Sequence, residues 1–261
     1  MTVKSVYPIP IFDQLVDELG SASWFSVLDL HSGYHQIRLQ PGEEYKTAFS
    51  THTGHFEFTV VPFGATGAPS TFQGAMNSTL SAVLRRCALV FFDDIMIFSS
   101  SYDDHLKHLR EVLTLLAKDQ WVVKLKKCKF AKQQIHYLGH VLSSQGVSTD
   151  LEKVTAVLNW PTPINVRELR GFLGLAGFYR KFVRHFAVLA KPLTQLLKKH
   201  QLFICTSEHQ SAFEALKQAL CSAPVLGIPN FTKTFALETD ACQTGVGAVL
   251  LQDGHPLGIC Q

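Results

Sequence analysis

Apolar and polar positions divide the first part of the chain into short helices and strands. Residues 12–19 carry apolar side chains at helical spacing, which predicts an amphipathic helix. Residues 24–30 form a short, mainly apolar run that predicts a buried strand with Asp29 at its end. Residues 46–61 alternate around a Thr-Gly turn, as a hairpin does. Pro69 suits the first turn of the helix that follows.

Two apolar arms enclose a pair of aspartates further along the chain. The segment 89–98 reads Leu-Val-Phe-Phe-Asp-Asp-Ile-Met-Ile-Phe, which predicts a tight hairpin with Asp93 and Asp94 at its tip. Residues 103–118 then have helical spacing, with Leu106 expected to face inward, and the lysine-rich residues 124–132 predict a strand. Since helices alternate with strands that read as antiparallel, we predict an α+β fold and not a doubly wound sheet.

The pattern becomes almost purely helical over residues 150–199. Three glycines recur there at a spacing of three, Gly171, Gly174 and Gly177, and each would weaken an isolated helix by roughly 1 kcal/mol. They either permit close approach of another backbone or mark a break between two short helices. Residues 211–251 continue with one further helix and then with glycine-containing apolar runs that read as strands.

Composition excludes several classes of protein. The 261 residues are 46% hydrophobic and 17% charged, which is too apolar for a disordered chain and enough for two or three packed units. We expect an intracellular protein of the cytoplasm or nucleus, neither secreted nor membrane-bound, because no signal peptide or membrane-length apolar run is present. Six scattered cysteines predict free thiols instead of disulfides or a zinc site. The net charge of +3 neither requires nor excludes a nucleic-acid partner.

Asp93 and Asp94 carry the clearest chemical signal. Two adjacent carboxylates between apolar arms repel each other and lose hydration, and a divalent cation between them relieves both costs. Oxygen ligands of this kind suit Mg²⁺. Asp29 also ends a buried strand, and a third carboxylate at the same place would fit two-metal phosphoryl transfer. The dipeptide alone is equally compatible with a plain polar turn.

Three segments resemble the palm motifs of reverse transcriptases from gypsy-type LTR retrotransposons. They read Phe25-Ser-Val-Leu-Asp-Leu-His-Ser-Gly-Tyr-His-Gln-Ile-Arg38, Val61-Pro-Phe-Gly-Ala-Thr-Gly-Ala-Pro-Ser-Thr-Phe-Gln73 and Val90-Phe-Phe-Asp-Asp-Ile-Met-Ile-Phe-Ser99. The resemblance continues through 137–140, 160–163, 169–182, 191–193 and 235–241, and so covers essentially the whole chain. It implies a right-hand polymerase palm with an antiparallel sheet, a helical thumb and the start of an RNase H-like α/β domain.

The resemblance also implies an activity and its partners. The activity is that of an RNA-directed DNA polymerase, a nucleotidyltransferase that uses two Mg²⁺ or Mn²⁺ ions. It would extend a primer on an RNA or DNA template with deoxynucleoside triphosphates. The remaining domains of a retrotransposon polyprotein are possible partners.

Each matching residue takes a role from the family. The catalytic carboxylates, which would also hold the metals, are Asp29, Asp93 and Asp94. The backbone carbonyl of Leu30 would be a further metal ligand. Tyr34 would lie under the incoming sugar and disfavour a 2′-hydroxyl, while Phe63 and Gly64 would line the nucleotide pocket. The segment that would grip the primer's 3′ end is Tyr137, Leu138 and Gly139.

Basic residues are candidates for contacts with the nucleic-acid backbone. They are Lys124, Lys126, Lys127, Arg167, Arg170, Arg180, Lys181 and Arg184. For the lysines, a merely solvated strand face stays open as an alternative. The sequence also departs from the family at two places: Phe91 replaces the usual tyrosine before the aspartates, and Gly67 replaces a usual asparagine in the nucleotide pocket.

The resemblance divides the chain into four parts. Residues 1–145 would be the palm with most of the fingers missing, 146–200 the helical thumb, 201–232 a connecting helix segment and 233–261 a truncated RNase H-like start. Asp240 matches the first carboxylate of the RNase H site. One carboxylate cannot support two-metal hydrolysis, so we expect no RNase H activity.

Two other functions compete with the polymerase. One is a catalytically inactive retroelement remnant that at most binds nucleic acid. The other is a metal-dependent phosphotransferase for small nucleotides, which leaves the arginine-bearing helices and the primer-grip segment unexplained. Without fingers to orient the nucleotide, we expect the isolated chain to bind primer–template in a salt-sensitive manner and to extend primers near background.

Overall fold

The structure is a computed structural model and describes residues 7–8, 10–199, 202–242 and 245–260. The chain packs into two units, Met1–Ile135 and His136–Gln261. Among the residues described, no helix is long and apolar enough to cross a membrane. The four-part division expected from the sequence stays a prediction.

The first unit combines helices with two antiparallel sheets. Its helices are α1 (Phe12–Val16), α2 (Ala68–Thr79) and α3 (Tyr102–Lys118). Its strands are β1 (Trp24–Asp29), β2 (Phe49–Thr51), β3 (Gly54–Phe56), β4 (Ala88–Phe91), β5 (Asp94–Ser99) and β6 (Lys129–Lys132). Strands β2 and β3 form the hairpin expected from the alternating pattern.

A four-stranded sheet with the order β4-β5-β1-β6 organises this unit. Its strands pair antiparallel, as predicted, and β1 lies between β5 and β6. The four inner residues of β1 are all buried, and three of them are apolar while Ser26 is polar. Side chains of α2 and α3 pack on the sheet in one cluster: Leu28, Leu30, Phe72, Met76, Leu80, Val83, Cys87, Ala88, Val90, Ile95, Ile97, Val112 and Leu116.

A buried polar network joins α3 to the sheet. His105 is fully buried, and its Nε2 lies 2.7 Å from Ser26 Oγ while its Nδ1 lies 3.0 Å from Ser99 Oγ. The backbone N–H of Ala131 donates to Ser26 Oγ at 3.0 Å, so this hydroxyl joins β6 to the same network. Burial, and secondly the neighbouring His108, lower the pKa of His105. A neutral imidazole therefore holds β1, β5 and α3 together.

The same histidine corrects one sequence prediction. Leu106 was expected to face inward on α3, but it is 44% exposed, and His105 occupies the buried position at that level. Apolar spacing misled here because the serines of β1 and β5 offer hydrogen bonds that only a polar side chain can satisfy. The start of α3 follows the expected rule, since Ser101 caps it by accepting a hydrogen bond from the Asp104 N–H.

Two further boundaries differ from those expected. The turn of the β4–β5 hairpin consists of Phe92 and Asp93, whereas Asp94 already begins β5, opposite Phe91. The lysine-rich segment is only partly a strand: Leu125–Lys127 is a 3₁₀ turn, and β6 begins at Lys129. The residue before this turn is bonded to β1, since the Lys124 N–H donates to the Asp29 carbonyl at 2.8 Å.

The second unit is built from helices and two three-stranded sheets. Its helices are α4 (Leu151–Leu158), α5 (Val166–Phe178), α6 (Phe186–Gln195) and α7 (Ser207–Cys221). One sheet contains β7 (Gln134–Tyr137), which spans the boundary at His136, with β8 (His140–Ser143) and β9 (Gly146–Thr149). The other contains β10 (Ala236–Cys242), β11 (Gly245–Gln252) and β12 (His255–Cys260). Aromatic rings fill the core between α5 and α7, with Phe172 and Phe213 4.5 Å apart.

The three glycines of α5 do not interrupt it. The helix runs continuously from Val166 to Phe178. A Cβ on Gly171 would meet the Trp160 ring at 3.4 Å, while Gly174 has nothing within 4 Å. Neither predicted role of these glycines is observed, since the helix has no break and no other described backbone approaches them within 4 Å of such a Cβ. The predicted free thiols are found at Cys87, Cys128, Cys205 and Cys221, and the side chains of Cys242 and Cys260 lie outside the described residues.

We expect the His105 network to make stability depend on pH. The pKa of His105 is lowered in the folded protein, so below about pH 6.5 the unfolded chain binds a proton that the folded chain does not. The free energy of unfolding should therefore fall as pH drops below that value, by at most about 1.4 kcal/mol per pH unit. Urea unfolding between pH 5 and 7.5 measures this.

A matched pair of variants isolates the contribution of His105. His105→Gln should lower stability and flatten its pH dependence, whereas His52→Gln, at an exposed turn position, should leave the curve of the wild type unchanged. Parallel pH curves for the wild type and His105→Gln would show that the network does not hold a neutral histidine.

Candidate active site

Asp29 and Asp94 face each other across two central strands. They end the β1–β5 ladder as directly paired residues. Directly opposed residues in an antiparallel pair have Cβ atoms about 4.5–5.5 Å apart, so the two side chains share one face of the sheet at its end. Strand pairing thus brings together two carboxylates that are 65 positions apart in the sequence.

Asp93 joins them from the turn. Phe91 and Asp94 close the β4–β5 hairpin, and Phe92 and Asp93 are its two central residues. Phe92 has a φ of 51°, a left-handed conformation that costs energy for a bulky residue. The structure therefore gathers all three predicted carboxylates at one end of the sheet, with Asp93 at the tip itself.

The surroundings of this cluster disfavour its negative charge. Burial raises the pKa of Asp93, and the neighbouring Asp94 and Asp29 raise it further, while Lys127 acts in the opposite sense. Burial and Asp29 likewise raise the pKa of Asp94. Oδ1 of Asp93 is buried and has no hydrogen-bond partner among the described residues. Three hard oxygen-bearing side chains at one end of the sheet are the ligand type that a divalent cation such as Mg²⁺ prefers.

Lys127 supplies a counter-charge that the sequence prediction did not anticipate. Its Nζ lies 3.2 Å from Asp29 Oδ2. Its position follows from the 3₁₀ turn that the Asp29 carbonyl anchors. Its predicted contact with a nucleic-acid backbone stays a prediction. In this arrangement, no group of three or more His, Cys, Asp or Glu side chains within the described part of the chain could hold a metal ion. A cation bound by Asp29 would compete with the Lys127 ammonium for this carboxylate.

Gly33 provides close contact beneath the cluster. A Cβ at this position would lie 2.5 Å from Asp93 Oδ1 and 3.0 Å from the ring of Phe72. Any side chain would therefore displace the Asp93 carboxylate or the ring behind it. The sequence pattern did not single out Gly33, because the contact joins residues 60 positions apart.

Tyr34 extends the site with an aromatic wall. Its ring lies between Phe63 and Phe72, with centroids 5.1 and 5.0 Å away. Burial and the nearby Asp93 raise the pKa of Tyr34, which keeps the phenol neutral. Phe63 is 64% exposed, and the adjacent Gly64 has a φ of 91° in a turn that bends the chain away. Of the residues predicted to surround a nucleotide, Tyr34 therefore lies near Asp93, and Phe63 is exposed to solvent beside Tyr34.

The predicted primer-grip segment consists of the last residue of β7, Tyr137, and the turn Leu138–Gly139 before β8. Tyr137 is buried, whereas Leu138 and Gly139 have φ values of 47° and 78°. The Tyr179 hydroxyl donates to the Gly139 carbonyl at 2.6 Å and fixes the turn. Burial, and secondly Asp150, raise the pKa of Tyr179 to about 12. The segment therefore presents a rigid backbone instead of a polar side chain.

The remaining predicted residues lie on surfaces of their own units. In the first unit, Lys124 and Lys126 are exposed. In the second unit, Lys181 is partly buried. The exposed arginines on and after α5 are Arg167, Arg170, Arg180 and Arg184. Asp240 lies on β10, opposite Gly247, and lines an open cleft of about 260 Å³ with Arg184 and Glu238. Leu30 directly follows Asp29 and pairs with Val123 in an isolated antiparallel β-bridge.

Comparisons with known sequences match most of this chain. Residues 1–142 match the family described as reverse transcriptase (RNA-dependent DNA polymerase), and residues 205–259 match an RNase H-like domain found in reverse transcriptase. The retrovirus-related Pol polyprotein from transposon 297 of Drosophila melanogaster is 42% identical over 258 residues, and that from transposon gypsy is 39% identical over 270 residues. The transposon Tf2-3 polyprotein of Schizosaccharomyces pombe is 38% identical over 248 residues.

These relatives are much longer than this chain. The matches cover 98%, 98% and 95% of the chain but 24%, 26% and 19% of the three polyproteins. The chain therefore spans about a quarter or less of the length of the relatives it matches.

Solved structures have the same fold. A foamy viral protease–reverse transcriptase in complex with an RNA/DNA hybrid has a TM-score of 0.88 at 23% identity, over 98% of this chain and 35% of that one. The same kind of protein in complex with double-stranded DNA has a TM-score of 0.91 at 23% identity, over 99% and 46%. The right-hand polymerase fold predicted from the sequence is confirmed.

We expect Gly33→Ala to be destabilising because its methyl group has no room. Overpacking of this kind costs about 1–3 kcal/mol. Gly174→Ala is the matched control: its methyl group meets nothing within 4 Å on a helix, and alanine should stabilise that helix by about 0.5–1 kcal/mol. Urea unfolding of both variants measures the difference. Equal stability of Gly33→Ala and the wild type would show that the Asp93 carboxylate is not confined at this point.

Proposed function

The chain belongs to the reverse transcriptase family, and from this premise we propose that it carries the RNA-directed DNA polymerase site of an LTR retrotransposon polyprotein. The reaction would join the 3′ oxygen of a primer to the α-phosphorus of a deoxynucleoside triphosphate, with release of pyrophosphate. The observation that supports this most directly is the carboxylate cluster, with Asp29 paired to Asp94 and Asp93 in the adjoining turn.

Divalent cations are the cofactor class that this cluster fits. Asp29, Asp93, Asp94 and the Leu30 carbonyl would hold two Mg²⁺ or Mn²⁺ ions, with the buried Asp93 Oδ1 as an oxygen ready to accept one. When bound, such ions stabilise negative charge on the attacking and leaving oxygens of an in-line displacement. Lys127 would release Asp29 in this state, and its ammonium would then be able to pair with a phosphate.

The aromatic wall would position the nucleotide. Tyr34 contacts the rings of Phe63 and Phe72, and these contacts limit its movement away from a sugar placed against it. An unyielding ring beneath the sugar leaves no space for a 2′-oxygen, which is the basis for selecting deoxynucleotides. Phe63, largely exposed, offers a flat apolar surface on the other side of Tyr34.

Nucleic acid is the proposed partner. The foamy viral structures contain an RNA/DNA hybrid or double-stranded DNA, and we extend this binding class to the present chain. Exposed arginines on and after α5 and exposed lysines before β6 would neutralise phosphates, and the rigid turn at Tyr137, Leu138 and Gly139 would support the primer's 3′ end. The division into palm, thumb, connecting segment and RNase H-like start belongs to the same proposal, as does a location in the cytoplasm or nucleus.

An inactive nucleic-acid-binding remnant is the second candidate function. It is favoured by the ion pair between Lys127 and Asp29 and by the lack of a ready three-ligand metal group among the described residues. A remnant would bind primer–template but would not bind a cation through Asp93. Metal binding therefore discriminates between the two functions.

We expect Asp93→Asn to weaken Mn²⁺ binding by about tenfold or more, since even outer residues of metal sites change affinity by that amount. Calorimetric titration of the chain with Mn²⁺ measures this. Any primer extension should require Mg²⁺ or Mn²⁺ and should disappear in the same variant. Asp253→Asn removes a carboxylate of the second unit that pairs with Lys233, and it should change neither property.

Two outcomes would decide against the polymerase. If the wild type and Asp93→Asn bind Mn²⁺ equally, the cluster is not a metal site. If primer–template binds in a salt-sensitive manner without Mn²⁺ binding or extension, the remnant is the correct function.

We expect Tyr34→Ala to reduce discrimination against ribonucleotides. Removing the ring opens space for a 2′-hydroxyl, and the ratio of ribonucleotide to deoxynucleotide affinity should rise about tenfold or more. Nucleotide titration into the complex with primer–template and Mn²⁺, followed by fluorescence, measures the ratio without requiring turnover. Tyr34→Phe keeps the ring and should keep the discrimination. An unchanged ratio in Tyr34→Ala would assign sugar selection to another residue.

A further inference from the structure

We propose that Gln73 is a positioning residue that holds the Asp93 turn from the outer edge of the sheet. The inference rests on the proposed function, because it assigns Gln73 a part in presenting Asp93 to a cation. Gln73 lies on α2 and is fully buried. Its hydrogen bonds reach Asn77, Val90 and Phe92, so it would act on Asp93 through the backbone of the turn.

The Gln73 amide bridges both sides of Phe91. Its Nε2 donates to the Val90 carbonyl at 3.0 Å, and its Oε1 accepts from the Phe92 N–H at 2.9 Å. A carbonyl can only accept and a backbone N–H can only donate, so these two contacts fix which end of the amide is which. The side chain is therefore a two-point clamp with one orientation.

The alternation of an antiparallel strand explains why these two groups are available. Phe91 and Asp94 close a two-residue hairpin, and so their backbone groups point toward each other. The Val90 carbonyl and the Phe92 N–H consequently point to the other side of β4. Strand β4 is the edge of the sheet order β4-β5-β1-β6. Gln73 thus takes the place that a neighbouring strand would occupy.

The clamp acts at the strained residue of the turn. Phe92 has a φ of 51°, which a bulky side chain adopts only when its surroundings enforce it. The hydrogen bond from its N–H to Gln73 is one such constraint. Asp93 is the next residue, so a change in the Phe92 backbone would swing its carboxylate away from Asp29 and Asp94. The tight space at Gly33 leaves the carboxylate little freedom to compensate.

Gln73 is itself held in place from α2. Its Nε2 also donates to Asn77 Oδ1 at 2.9 Å, one turn along the helix, and Asn77 Nδ2 donates to the Tyr7 hydroxyl at 2.9 Å. Both amide hydrogens and one oxygen lone pair of Gln73 are therefore used. A buried, oriented amide of this kind is a rigid support, and not a flexible surface group.

The experiment compares Gln73→Met with Gln252→Met by Mn²⁺ titration. Methionine has similar length but neither donates nor accepts strongly, so it removes the clamp without leaving a large cavity. Gln252 is the matched control: it is buried in the second unit and clamps a backbone in the same way, with Asn230 donating at 2.8 Å and accepting at 2.9 Å. Both variants lose an equivalent buried amide, but only one of them supports Asp93.

We expect Gln73→Met to weaken Mn²⁺ binding about tenfold, the usual effect of removing a group that orients a ligand, and Gln252→Met to leave it unchanged. Equal affinities in the wild type and Gln73→Met, or equal losses in both variants, would overturn the proposal. Wild type that binds no Mn²⁺ would instead contradict the proposed function.

Hydrogen exchange of the Phe92 amide tests the clamp without any substitution or metal. We expect this amide to be protected like those of β5, because its partner is buried. Exchange as fast as that of an unprotected turn would overturn the proposal, even if Gln73→Met fails to fold or Mn²⁺ does not bind.

Discussion

The placement of three carboxylates at the end of an apolar sheet is the constraint on which the rest of the first unit depends. Asp29 and Asp94 are forced into one another's vicinity by strand pairing, and Asp93 is added by the turn. Burial and mutual repulsion raise the pKa of both Asp93 and Asp94. Three neighbouring residues accommodate this cluster. Lys127 places a positive charge beside Asp29, Gly33 leaves room for the Asp93 carboxylate, and the Gln73 amide accepts a hydrogen bond from the Phe92 N–H of the turn.

Local patterns predicted the elements of this arrangement well. The apolar run of β1, the two arms of the β4–β5 hairpin and the helix after Pro69 all follow from side-chain periodicity and turn chemistry, because burial imposes a regular pattern on each. Periodicity could not predict that Asp29 lies opposite Asp94, since register between distant strands leaves no local trace. The position of Asp29 at the end of a buried strand led us to expect it near the hairpin tip, and the family resemblance named all three carboxylates.

The positions that the sequence did not predict correctly, namely the hairpin tip, Leu106 and Lys127, also have physical causes. The hairpin tip is shifted by one residue because Phe92, and not Asp94, takes the left-handed conformation. Leu106 is exposed because His105 satisfies two buried serines on neighbouring strands. Lys127 approaches Asp29 because the Asp29 carbonyl anchors a short turn. In each case a hydrogen bond across the fold outweighed the local preference, and a single sequence does not reveal such bonds.

The charge balance of the cluster also bears on what it could accept. When ionised, Asp29, Asp93 and Asp94 carry three negative charges, and the ammonium of Lys127 offsets one of them. Burial first, and then the neighbouring carboxylates, raise the pKa of Asp93 and Asp94. A triphosphate approaching this cluster would be repelled, because like charges in a partly buried site are poorly screened. Cations that bind the carboxylates remove this repulsion and at the same time attract the phosphates. The acidic cluster is therefore compatible with a nucleotide substrate only as a metal site, and any group that keeps Asp93 in place, as proposed for Gln73, contributes to that compatibility.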